Sequence, residues 1–140
     1  MNINYKSVLF SLILNIIFSI FMAIININLG LIIMILGILI VPILINVISI
    51  KLSKKPYNIL TIFIMSIFNI IYYIISAKSI LHNPKFFQLA SKYSHEENGF
   101  YIHMNTNLLS LSQLVFLFLL YFILSFLLGK IFTKKVNRNA

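Results

Sequence analysis

The sequence predicts an all-α membrane protein: four transmembrane helices in a bundle, with a short interfacial helix in the outer loop. Three observations predict it. Of the 140 residues, 61% are apolar and only 9% are charged, whereas roughly a quarter of the residues of a soluble domain are charged. A globule this small cannot hide that much apolar surface from water, because small folds leave a large share of their area wet; lipid can solvate the excess. Finally, eight of the eleven basic residues stand beside the ends of apolar runs, and no charge lies deep within one.

From Ser7 to Ile50 the chain runs 44 residues without one formal charge. At about 1.5 Å per residue this is about twice what a roughly 30 Å hydrocarbon core needs, so the run must turn once. Asn26-Ile27-Asn28-Leu29-Gly30 holds its only turn chemistry, since asparagine and glycine tolerate left-handed backbone and local side-chain bonding. The first span is therefore expected over 8–25 and the second over 31–50. The first run is too long for a signal peptide and no small-x-small cleavage site follows it, so it is expected to be a retained helix.

Lys51-Leu52-Ser53-Lys54-Lys55-Pro56 is a basic loop whose proline can open the next helix, which places the third span over 57–77. A polar outer loop, 78–107, holds all three histidines and both acids, and the fourth span follows over 108–132. The whole chain, 1–140, is expected to form one domain. Within the loop, Asn83-Pro84 has the form of a helix N-cap followed by proline at the first helical position. Phe86, Leu89, Ala90 and Tyr93 then recur at helical spacing, with Lys85, Gln88 and Lys92 on the other side. A short helix on the outer membrane surface suits that pattern. The stretch 100–104 is too short to assign.

The net charge of +9 sets orientation. Eight of the eleven basic residues (Lys6, Lys51, Lys54, Lys55, Lys130, Lys134, Lys135 and Arg138) flank span ends on one side, against Lys78, Lys85 and Lys92 on the other. The positive-inside rule then puts both termini in the cytoplasm. Dispersed flanking lysines are not the clustered patch that nucleic-acid binding requires, so the expected partners are the lipid bilayer and another membrane protein. Ten lysines to one arginine, with abundant isoleucine and asparagine, indicate an AT-rich bacterial genome and hence the bacterial cell membrane.

Polar residues inside the spans are the most informative feature. Ser11, Asn15 and Ser19 lie at steps of four in the first span; Pro42, Asn46 and Ser49 share a face of the second. Ser66, Asn69, Tyr73 and Ser76 do so in the third, and Gln113, Tyr121, Ser125 and Gly129 in the fourth. Lipid cannot satisfy amides or hydroxyls, so Asn15, Ser19, Asn46, Asn69, Tyr73, Gln113, Tyr121 and Ser125 are expected in the bundle interior, bonding across helices. These stripes read first as structural glue and second as a small polar cavity for a ligand or peptide. Pro42 leaves the Ile38 carbonyl without its helical donor and is a candidate helix hinge. Ser125 and Gly129 form a small-xxx-small pair for close helix approach, within the bundle or between two copies.

No acid, lysine, arginine or histidine sits deep in a span, which speaks against ion-coupled transport and intramembrane proteolysis. The chain has no cysteine, so disulfides, thiolate metal sites and cysteine nucleophiles are excluded. His95-Glu96-Glu97-Asn98-Gly99 begins like a zinc-protease motif, but the required second histidine is replaced by Gly99. His82, His95, His103 and the two glutamates are read as solvated loop, with a looser metal set as the alternative. No catalytic residue, cofactor or metal is expected.

Ile40-Val41-Pro42-Ile43-Leu44-Ile45-Asn46, Tyr57 with Ile71-Tyr72-Tyr73, and Asn83-Pro84-Lys85-Phe86-Phe87 carry a further likeness. With the chain's length and order of spans, they resemble the Msa family of small bacterial membrane proteins, named for modulating a global virulence regulator. The resemblance implies a non-enzymatic accessory role in signalling or virulence gene expression, acting from the membrane. The alternative from the residues is an immunity protein against a membrane-acting bacteriocin or toxin.

Overall fold

The computed structural model describes residues 3–53, 58–97, 100–102 and 105–136. Its long elements are α1 (Tyr5–Ile25), α2 (Leu31–Ser53), α3 (Ile59–Leu81) and α5 (Leu111–Val136); α4 (Pro84–Tyr93) and a two-stranded hairpin, β1 (His95–Glu97) with β2 (Phe100–Ile102), lie between the last two. The four long helices are each apolar and long enough to cross a membrane, the make-up of a multi-pass membrane protein.

Local chemistry sets the boundaries. Asn4 caps α1 by accepting the Ser7 N–H at 3.3 Å, so the helix begins before the expected Val8. Asn26 (φ 50°) and Gly30 (φ 101°) both adopt left-handed backbone, and between them Asn26–Leu29 forms one 3-10 turn. That is the tight hairpin the sequence requires. Asn58 caps α3 through the Leu60 N–H at 3.0 Å, so α3 starts at Ile59; the expected start at Tyr57 lies outside the described residues. α3 runs past the expected end at Ala77 to Leu81, because nothing breaks it until Asn83-Pro84, where the residue before proline disfavours helix. Asn83 then caps α4 by accepting the Lys85 N–H. The last span opens at Leu111, not Leu108, since the Ser110 hydroxyl accepts the Gln113 N–H and caps it.

The unassigned stretch after Gly99 forms β2, which pairs antiparallel with β1 in the register His95↔Ile102, Glu96↔Tyr101 and Glu97↔Phe100. His95-Glu96-Glu97, expected as loop, is thus one strand of a hairpin. Of the looser metal set, His103 lies outside the described residues, and no cluster able to hold a metal occurs among the described ones.

α1 packs on α2 and α3, α5 packs on the same two, and α2 also touches α3. α3 has the largest share of its span buried, 44%, and α1 the smallest, 17%, so α3 is the post against which the others stand. Large apolar side chains face outward all along the spans, among them Ile17, Phe21, Leu36, Leu44, Val115 and Leu119. The main apolar core, including Ile27, Met34, Ile38, Ile80, Phe86, Leu117 and Tyr121, lies toward the α4 end. Ile50, Ile62 and Met65 form a second cluster at the opposite end. A row of edge-on and stacked rings, Phe63, Phe118 and Phe122, joins α3 to α5.

Candidate functional site: the polar interior

Among the described residues, the interior polar groups that join helices lie mainly in three layers. The first closes the end where α1 and α3 begin. There the Ser53 hydroxyl accepts from Asn4 Nδ2 at 2.8 Å and from the Ser7 hydroxyl at 2.7 Å, and donates to the Ile50 carbonyl at 2.9 Å. One donor and two acceptor sites are all a hydroxyl has, so Ser53 is fully used. Asn4 also donates its backbone N–H to Thr61 Oγ1 at 3.0 Å. This clasp ties α1, α2 and α3 together and was not foreseen from the sequence; Asn4 as a cap residue was its only signal.

The second layer is a relay through α2. The Ser11 hydroxyl donates to Asn46 Oδ1 at 3.0 Å, and Asn46 Nδ2 donates to Ser125 Oγ at 2.9 Å. All three residues are fully buried, and the relay joins α1, α2 and α5. Close approach is needed here, and Gly129, one turn from Ser125, is also buried. Nearer the other end, a Cβ on Gly37 would come within 2.5 Å of Met22 Cε, so α1 and α2 meet where Gly37 has no side chain.

The third layer surrounds the proline. Pro42 lies inside α2 and cannot donate to Ile38 O. The Tyr121 hydroxyl donates to that carbonyl at 2.7 Å, from a side chain with no exposed surface. One residue earlier, the Tyr72 hydroxyl donates to Gly37 O at 3.0 Å. Two tyrosines, from α3 and α5, thus occupy the carbonyls around the break in the ladder. The hinge candidate is held in place by side chains from two neighbours, and the lock joins α2 to both. Tyr73 reaches a different backbone, donating to Leu108 O at 2.5 Å and tying α3 to the segment leading into α5.

At the α4 end, Asn26 Nδ2 donates to the carbonyl and hydroxyl oxygens of Ser79, and the Ser79 hydroxyl donates to Ala23 O. Lys85 Nζ donates to Asn28 Oδ1 at 3.2 Å, linking α4 to the same hairpin.

Not every expected interior residue bonds to another helix. Ser19 is buried, but its hydroxyl donates to Ile16 O within α1, and Ser49 likewise uses Ile45 O within α2. Such back-bonding to the preceding turn satisfies a hydroxyl without a neighbour. Asn15 donates only to Ser11 of its own helix, and Asn69, fully buried, has no partner for either amide atom. Gln113 is half-buried at the start of α5.

The described interior is therefore a set of neutral hydroxyls and amides joined mostly to backbone or to one another. An open groove of about 270 Å³ between α3 and α5 is lined by Ile67, Ile70, Leu114, Val115 and Phe118 and is wholly apolar. It offers no polar group to orient a substrate. No family model matches the chain, and no curated protein or solved structure does.

Proposed function

We propose that this chain is a non-enzymatic, multi-pass protein of the bacterial cytoplasmic membrane that modulates signalling or virulence gene expression through another membrane protein. In this reading the four helices form a bundle with both termini inside, as the distribution of lysines supports. One observation carries it. Ser11–Asn46–Ser125 and the tyrosines on Ile38 and Gly37 use interior polarity to hold helices in register, and no acid, lysine, arginine or histidine sits deep in a span. Chemistry or ion coupling needs such a group; holding a contact surface in place does not.

That surface is the outer segment. Phe86 and Ala90 of α4 are buried, while Phe87 and Tyr93 are exposed. Around the helix axis Phe87 lies on one flank of the buried line, and Lys85 and Lys92 lie on the other. This suits an interfacial helix with Phe87 toward the acyl chains and the lysines toward headgroups. The likeness to the Msa family points to the same indirect role.

Deleting the gene is expected to change transcript levels of a virulence regulator. Restoring it with Phe87 and Tyr93 both replaced by alanine is expected not to reverse the change, although the protein still reaches the membrane. Unchanged transcripts in the deletion strain would overturn the reading.

A further inference from the structure

Among the described residues, five buried side-chain atoms have no hydrogen-bond partner: Asn15 Oδ1, Ser66 Oγ, Ser76 Oγ, and both Oδ1 and Nδ2 of Asn69. All of them belong to the buried stripes of α1 and α3. Their level along the helices can be placed. Asn4 bonds Thr61 at one end of the α1–α3 contact, 57 positions apart, and Asn26 bonds Ser79 at the other, 53 apart. The two helices therefore run parallel, and midway the offset is about 55. Asn15 then stands level with Asn69, and Ser11 with Ser66. Asn15 Oδ1 and both amide atoms of Asn69 thus fall at a single depth, where two helices pinned together at both ends meet; Ser66, about 140° around α3 from the Thr61 line, lies off that contact.

We propose that this seam between α1 and α3 is a binding site for buried water. The donor and acceptor balance selects the occupant. Asn69 offers two N–H donors and a carbonyl oxygen, and Asn15 adds a free carbonyl oxygen. A cation would suit the oxygens but leave Asn69 Nδ2 without an acceptor. An anion would accept from Nδ2 but face the free carbonyl oxygens of Asn15 and Asn69. Water both donates and accepts, and buried waters characteristically make two to four bonds to otherwise unsatisfied groups. Lipid offers none.

The relay through Asn46 reaches this site through Ser11. Ser11 gives its hydroxyl to Asn46 and receives Asn15 Nδ2, which leaves Asn15 Oδ1 as the end of that chain of bonds without a partner. The site leaves α1, the least buried span, held on α3 by protein bonds at its ends and by water in its middle.

The test is NMR on the full-length protein in nanodiscs of perdeuterated lipid, with asparagine side chains labelled. The Asn69 amide signal is assigned by its loss in Asn69→Ser. A long-lived water cross-peak to that amide is the expected result, together with a lower thermal midpoint for Asn69→Leu, which keeps the volume and removes the water's partners. Absence of the cross-peak in the native protein overturns the proposal, whatever the variant does. A thermal midpoint raised by Asn69→Leu also counts against it, because removal of a truly unpaired buried amide stabilises.

Discussion

Replacing Asn46 by leucine is expected to destabilise the protein by about 1–3 kcal/mol, the sum of two interhelical bonds in a membrane interior. Leucine keeps most of the volume, so the loss comes from bonding and not from a cavity. Asn46 is the only described residue whose side chain joins α1 and α5 through α2, receiving from Ser11 and donating to Ser125. After the change Ser11 can turn back to a carbonyl of its own helix, which limits the cost on that side. Unfolding by titration with a denaturing detergent, followed by circular dichroism, measures the effect. Ser125→Ala alone is expected to cost less, and in the Asn46→Leu background almost nothing, because its partner is already gone. Fully additive losses would mean that the two residues do not act together.

Tyr121→Phe is expected to cost about 1–2 kcal/mol, since it strips the Ile38 carbonyl of its donor in a place water does not reach. The diagnostic is the proline. Alanine at position 42 returns a backbone N–H to the i→i−4 ladder, giving Ile38 O a donor from its own helix. Pro42→Ala is therefore expected to recover most of the Tyr121→Phe loss in the double variant. On the native background it brings no such gain, because Tyr121 already serves that carbonyl. Equal effects of Pro42→Ala on both backgrounds would show that the tyrosine and the proline are uncoupled.

The two residues also mark how far the sequence could be read. A charge-free run twice the length of a span, broken only at Asn26–Gly30, leaves one physical solution, so the spans were legible. The orphaned Ile38 carbonyl was legible too, since it follows from proline alone. Its donor was not: Tyr121 lies 83 positions away, and helical periodicity says which face a tyrosine occupies but not which carbonyl it meets. The same gap hides the Asn46 relay, with partners 35 and 79 positions off. Ser19 and Ser49 departed from cross-helix bonding because a carbonyl three or four residues back is always within reach. The hairpin of β1 and β2 escaped notice because three-residue strands carry too little periodicity to register.

All of this presumes that α1, α2, α3 and α5 cross a bilayer in alternation. The chain has no native cysteine, so single cysteines placed at Leu52 and Ser91, both on exposed positions, can be labelled in intact cells with a membrane-impermeant maleimide. Labelling of Ser91→Cys from outside, with Leu52→Cys reacting only after the membrane is opened, is the expected result. Equal access to both from one side would contradict the four-span arrangement.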